Sequence, residues 1–239
     1  MTPKCQHSGL IDNTFMTSVP DAEFPDCEDS VQKLSRTEVF KNHGSLEGTS
    51  DPPKLCVDLG ETFMLETIGT TGHVYEWFES SIEPPLTISG NPCTGPVLVN
   101  GVRRGDVIAC HIQGIEPFGH TIAGTGSVLA EDFEQEDCDL IRLEQGKALF
   151  PGGVSVPTNP MAGCIGVVPD PFPVPETWKH GGNMDITALG PGATFHVKAQ
   201  RDGGWVCVGD CHAVQGEGEI NGSGLEMASD VVISVDRSP

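Results

Sequence analysis

The sequence predicts an all-β fold, an antiparallel β-sandwich-like domain with long Gly/Pro-rich loops, and three observations carry that expectation. The 239 residues include 30 glycines and 19 prolines, which punctuate the chain too often for long helices. From Val39 onward short apolar runs alternate with turn signals, and no stretch keeps a 3.6-residue period through three helical turns. Three segments, "LGETFMLET" (59–67), "RGDVIACHI" (104–112) and "PGATFHVKA" (191–199), share a glycine, a small or acidic residue and then alternating apolar positions. Each reads as a turn entering a strand.

In chain order, residues 1–36 come first: polar, with Pro20, Pro25 and the acidic patch Asp26 to Asp29, and without a sustained period. They read as an N-terminal arm ahead of a single β domain over 37–239, which accords with the length. After the 59–67 strand, "GPVLVNG" (95–101) is the next expected one. Within 104–112, alternation puts Val107, Ala109 and His111 on one face and Ile108, Cys110 and Ile112 on the other. His111 and His196 therefore sit inside strands, where a histidine is more often packed and hydrogen-bonded than a ligand. The acidic stretch "EDFEQEDCDLIRLEQG" (131–146) is the exception, an excursion between strands or a short helix. "GCIGVVP" (163–169), the 191–199 segment, "GGWVCVGD" (203–210) and "DVVISVD" (230–236) complete the set.

Charge narrows the partners. Thirteen Lys and Arg against 34 Asp and Glu give a formal charge of -21, which repels phosphate backbones and anionic lipid, so neither nucleic acid nor a membrane is expected. The excess of carboxylates suits hard cations, although a solvated acidic surface is the plainer reading. Nine cysteines occur without a CxxC pair, against both a zinc ribbon and a disulfide framework. With no charged-then-apolar leader pattern and no apolar run near the ~18 residues of a membrane span, the expected location is the cytoplasm.

The chemistry is concentrated in the last third. In "GDCH", Asp210 and His212 are two apart and share a side of a continuing strand with Cys211 opposite; they offer two metal ligands, or are a strand end that turns polar. In "QGEGE", Gln215, Glu217 and Glu219 recur every second residue, an edge suited to holding a substrate or steering water, or an acidic turn. Glu226 is equally well a salt-bridge partner. In "HGGNMD" (180–185), Gly181 and Gly182 free the backbone for positive φ and an anion nest, His180 and Asp185 are the ligand-competent ends, and Asn183 offers the donor and acceptor that match an amide. Cys211, pointing away from its acidic and basic neighbours, reads as an inert thiol. No GxSxG elbow is present.

Together, "NPCTGPVLVNGVRRGDVIACHIQGIEP", "GCIGVVP", "HGGNMD" and "GDCHAVQGEGEINGSGLE" make residues 39–236 resemble the acetamidase/formamidase family of amide hydrolases. The resemblance reaches His180, Gly181, Gly182, Asn183 and Asp185, then Asp210, His212, Gln215, Gly216, Gly218 and Glu219, with Glu116 and Pro117 at the end of the "HIQGIEP" strand. It implies a sandwich-like fold, hydrolysis of a carboxamide to acid and ammonia, a divalent metal and a homodimer. On this reading Asp185, Asp210, His212 and His180 are metal ligands, for zinc first and calcium as a second ion. Glu219 or Glu116 is the catalytic proton carrier, and Asn183, Gln215 and Gly182 bind the substrate. A cyclic amide (lactam or imide) as substrate, or a non-catalytic metal-stabilised β-sandwich binding module, are the alternatives.

Overall fold

The structure, a computed structural model, describes residues 31–38, 51–69, 90–124, 138–170, 177–219 and 222–239. Residues 1–30 of the expected arm and 131–137 of the acidic stretch lie outside the described residues. The strands are β1 (Gln32–Leu34), β2 (Leu55–Val57), β3 (Thr62–Glu66), β4 (Cys93–Val99), β5 (Val107–Pro117), β6 (His120–Gly124), β7 (Cys138–Glu144) and β8 (Lys147–Leu149). They continue with β9 (Ser155–Pro157), β10 (Met161–Val167), β11 (Thr177–Trp178), β12 (Gly181–Asn183), β13 (Thr194–Lys198), β14 (Val206–His212) and β15 (Ser229–Arg237). Among the described residues one 3-10 turn, Pro151–Gly153, is the sole helical element, and no helix is long and apolar enough to cross a membrane.

Two sheets face one another. One runs β1-β3-β15-β5-β13, the other β11-β12-β10-β14-β4-β2. Their inner faces meet in one core, to which the first sheet contributes Phe63, Leu65, Ile108, Ile112, Val231 and Ile233, and the second Val97, Val99, Ile165, Val167, Val206 and Val208. This is the sandwich the alternating pattern predicts. Pairing is antiparallel except at two edges, where β1 joins β3 and β2 joins β4 in parallel. The acidic stretch resolves as a strand in its second half: β7 belongs to a third sheet, β6-β7-β8-β9, with its own small core of Ile141, Ala148 and Leu225.

β5 shows how local sequence sets the faces. Ile108, Cys110 and Ile112 are buried in the core, whereas Val107 is 45% exposed and His111 is half-buried, as the alternation predicts. His111 bonds Thr194 Oγ1 through Nδ1 at 2.9 Å and His196 bonds Ser238 Oγ at 3.0 Å, so both act as hydrogen-bonded strand residues. Past Ile112 the register against β15 slips, Gly114 facing Val232 where Ile112 faces Ile233. Gln113 is thus the extra residue of a bulge, which brings Ile115 and Pro117 to the core side and turns Glu116 outward.

Truncating one face and not the other tests this assignment. Ile108→Ala is expected to cost about 3 kcal/mol by cavity formation, and Val107→Ala to stay within about 0.5 kcal/mol, by urea denaturation. Equal losses would contradict the facing.

Candidate active site at the end of strand β14

β14 carries the core residues Val206 and Val208 until Asp210, whose φ of 50° breaks the alternation. Cys211 takes the core side in its place, and Asp210 and His212 emerge together on the other. The expected sharing of a side holds, although a left-handed residue rather than a continuing strand produces it. Asp210 lies across from Gly163 on β10, between the pairs Ala162 with Cys211 and Cys164 with Gly209.

Asp185 arrives from β12. Met184 and Asp185 donate their amides to Gly163 O at 2.9 and 3.2 Å, and Asp185 also takes a positive φ, 47°. The loop after β14 is closed at its base by Ala213 N to Leu225 O and Leu225 N to Val214 O, both 2.8 Å. That closure returns Glu219 and Glu226 to His212, Glu226 as its bridge partner.

The result is a buried imidazole ringed by carboxylates. His212, 1% exposed, has Nε2 at 3.4 Å from Asp210 Oδ1 and 3.7 Å from Asp185 Oδ1, and Nδ1 at 3.5 Å from Glu219 Oε1. Neither ring nitrogen makes a hydrogen bond, nor does Asp185 Oδ1 or Glu219 Oε1, though all four atoms are buried. Buried polar atoms are normally satisfied, so this collection is unusual for a site meant to stay closed. Two sets, Asp185, His212, Glu219 and Asp210, His212, Glu226, each present ligand atoms within 4.8 Å of one another. Carboxylate oxygens and an imidazole nitrogen, once the ring's proton is displaced, are donors that fit a divalent cation.

The surroundings keep this space open. A Cβ on Gly163 would lie 2.5 Å from Asp210 O and 2.7 Å from Asp185 Oδ1, and one on Gly224 only 2.3 Å from His212 Nδ1. Glycine is required on both sides of the cluster. The crowding shifts protons as well. Burial, then the charges of Asp210 and Glu219, raises the Asp185 carboxyl to about 6, and burial and Asp210 raise Glu226 to about 7. Burial works to lower the His212 imidazole, but Asp210, Glu226 and Asp185 outweigh it and bring it to about 9.

The other expected residues fall into three groups. Gln215 and Asn183 join the site: Gln215 Nε2 donates to Asp185 O at 2.6 Å while its Oε1 is buried and unpartnered, and the Asn183 amide, assigned the orientation that pairs donors with acceptors, sets Nδ2 3.1 Å from both Asp185 Oδ2 and Asp210 Oδ2. Gly181 and Gly182 do take positive φ, 89° and 107°, but inside β12, where a Cβ on Gly181 would meet Ile165 O at 2.3 Å. At Gly181 the glycine character is used for close strand approach. His180 and Glu116 are not brought to His212. His180 is buried with both ring nitrogens unpartnered, its carbonyl accepting from Val167 N at the far end of β10, and burial lowers its pKa. Glu116 stands in the outward row Glu66, Asp230, Glu116 across β3, β15 and β5.

Glu217 bonds Thr187 Oγ1 rather than continuing an edge. Cys211 points into the core, its Sγ 3.8 Å from Thr67 Oγ1, with its pKa pushed up to about 12 by burial. Gly163, Gly224 and Glu226 are the residues that sequence reasoning did not place in the site. Only Glu226 carried a signal, as an acid of undecided role beyond Glu219.

Residues 172–237, which span Asp185, Asp210, His212, Glu219 and Glu226, match the Acetamidase/Formamidase family. No curated protein matches the chain. Among solved structures, it is similar to a recombinant predicted acetamidase/formamidase from the thermophile Thermoanaerobacter tengcongensis. That match has 28% identity over 86% of this chain and 68% of that one, with a TM-score of 0.75. It is similar also to an acetamidase from Yersinia enterocolitica, at 29% identity over 86% of this chain and 67% of that one, TM-score 0.69. A gamma lactamase from Delftia acidovorans shares the fold at 22% identity over 84% and 64%, TM-score 0.68. The resemblance of the sequence motifs to the acetamidase/formamidase family thus extends to the fold.

Because the Glu226 carboxyl rises from 4.5 to about 7 on folding, the metal-free protein holds its full contribution below pH 4.5 and loses it as pH rises through 7. Glu226→Gln cannot lose that contribution. The difference in Tm, variant minus parent, in chelated protein is expected to grow between pH ~5 and ~8. A flat difference would contradict the environment assigned to Glu226.

Proposed function

We propose that this chain, which carries the fold and the C-terminal signature of the acetamidase/formamidase family, is a metal-dependent hydrolase of carbon–nitrogen amide bonds other than peptide bonds. It converts a small carboxamide to carboxylate and ammonia. The observation that carries the reading is the group of unsatisfied ligand atoms around His212: Nδ1 and Nε2, Asp185 Oδ1 and Glu219 Oε1, buried without hydrogen bonds.

Asp185, Asp210 and His212 would hold the cation, zinc before calcium because an imidazole is among the donors. A bound divalent cation supplies Lewis acidity, polarising a carbonyl and making water a stronger nucleophile near neutral pH. The side chains do the rest. Gln215 is anchored through Nε2, so its free Oε1 is fixed in place to accept the N–H of a substrate amide. Glu219 Oε1, also without a hydrogen bond, takes the proton of the attacking water and returns it to the nitrogen. The return is essential because an amide anion is too basic to leave. Glu116, turned outward by the β5 bulge, is the less suited of the two expected carriers.

The reading places the protein in a reducing compartment, the cytoplasm, in keeping with the free thiols of Cys56, Cys93, Cys110, Cys164, Cys207 and Cys211. It also carries the homodimer that the resemblance implies.

Ammonia release from acetamide, formamide and small lactams and imides, measured before and after chelation and metal add-back, tests the activity. Turnover is expected to vanish with the metal and to return with it. Asp210→Asn and His212→Ala should each lower bound metal and activity together by more than about 100-fold, beyond the range for outer-shell partners, while Cys211→Ala keeps most activity. Metal uptake that raises Tm without turnover of any amide would instead favour a metal-stabilised binding module.

A further inference from the structure

We propose that Asn183 dictates how the two aspartates meet a cation: its amide nitrogen engages Oδ2 of both, leaving Oδ1 of each for the ion. This rests on the metal-centre reading above and makes Asn183 a positioning residue rather than a reader of the substrate amide.

The hydrogen-bond count is the first argument. An amide nitrogen has two hydrogens, and two carboxylate oxygens lie 3.1 Å from it, Asp185 Oδ2 and Asp210 Oδ2. Asn91 Nδ2 lies 3.0 Å from both the amide oxygen and the amide nitrogen, so it is the two carboxylates, which accept and do not donate, that set the nitrogen toward the acids. The backbone is equally constrained: Asn183 pairs with Cys164 on β10, and its carbonyl accepts from Thr177 Oγ1.

The second argument is where the other oxygens point. Asp210 Oδ1 and Asp185 Oδ1 both face His212 Nε2, at 3.4 and 3.7 Å. Cys164 Sγ lies 3.7 Å from Asp210 Oδ2, closing the side of that carboxylate away from the imidazole. Asp185 and Asp210 thus each turn Oδ2 toward Asn183 and Oδ1 toward the ligand nitrogen.

The consequence is selectivity. Calcium takes six to eight oxygens and readily uses both oxygens of a carboxylate, whereas zinc is satisfied by four donors, one from each side chain. By withholding Oδ2 twice, Asn183 favours the smaller ion.

Zinc and calcium titrations in buffered competition, with the absorption spectrum of the cobalt-loaded full chain, test the proposal on the parent, Asn183→Leu and Asn183→Ser. Circular dichroism of the metal-free proteins identifies which variants fold. The parent is expected to prefer zinc; a folded variant should lose about 10- to 100-fold in zinc affinity, narrow the zinc-to-calcium ratio and change the cobalt bands. Zinc affinity within twofold of the parent and an identical cobalt spectrum would overturn the role of Asn183, as would a parent that prefers calcium, a measurement needing no variant. A parent that binds no cation would instead sink the metal-centre reading itself.

Discussion

Four carboxylates, Asp185, Asp210, Glu219 and Glu226, converge on one buried imidazole, and much of the local structure answers the repulsion this creates. Two like charges about 4 Å apart repel by roughly 4 kcal/mol at an effective dielectric constant near 20. One imidazolium offsets only part of that. Without a cation the cluster keeps protons: Asp185 rises to about 6, Glu226 to about 7 and His212 to about 9. A divalent ion would supply the missing positive charge and displace those protons, so cation binding and proton release are coupled here. The net charge of -21 acts in the same direction at long range, raising the local concentration of cations around the molecule.

Holding such a cluster demands backbone that the sequence would not otherwise choose. Among the described residues, five non-glycine positions have positive φ, and Asp185, Asp210 and Glu219 are three of them. A non-glycine residue in a sparsely populated conformation costs of order 1–3 kcal/mol and persists where its surroundings over-determine it. Asp210 meets that condition because β14 is an interior strand, paired with β10 on one side and β4 on the other. Asp185 meets it through the doubled donation of its own amide and that of Met184 to Gly163 O. The third sheet contributes from outside, Thr121 Oγ1 donating to Glu226 O and Leu225 packing with Ile141 and Ala148. The site therefore sits where the sandwich and the smaller sheet meet, and both brace it.

What was legible in the sequence follows from the range of the interactions involved. Strand alternation is local, so the faces of β5 and the positions of β3, β4, β10, β13, β14 and β15 could be read directly. Asp210 with His212, and Asp185 with Asn183, were legible because each pair lies within a few residues on one element. Glu226 was not, since only the bridge to His212 brings it back. Gly163 and Gly224 carry no chemistry of their own; they matter through the atoms a side chain would strike, Asp210 O and His212 Nδ1. Glu116 was placed by the motif resemblance at the end of its strand, and the extra residue at Gln113, which turns it outward, leaves no local mark in that motif.

The arrangement of sulfur narrows which group can activate a nucleophile. Cys93, Cys164 and Cys207 pack with Val168 into an apolar layer beneath the site, and the hydrogen bond that the Cys164 thiol makes to Cys93 is the first cause holding it protonated, burial the second. Cys211 is the one cysteine between two site residues in sequence, yet the left-handed turn at Asp210 sends it to the opposite side, into the core, where burial pushes its pKa up to about 12. A thiol nucleophile needs thiolate character, which burial denies to Cys207 and Cys211 and which burial with the bond to Cys93 denies to Cys164. Nor can the imidazole act alone as a base, since the acids around His212 keep it protonated in the metal-free site. In the proposed mechanism, proton transfer to and from water therefore falls to the carboxylates. Among them Glu219 carries a buried oxygen without a hydrogen bond, Oε1, 3.5 Å from His212 Nδ1, on a side chain 17% exposed.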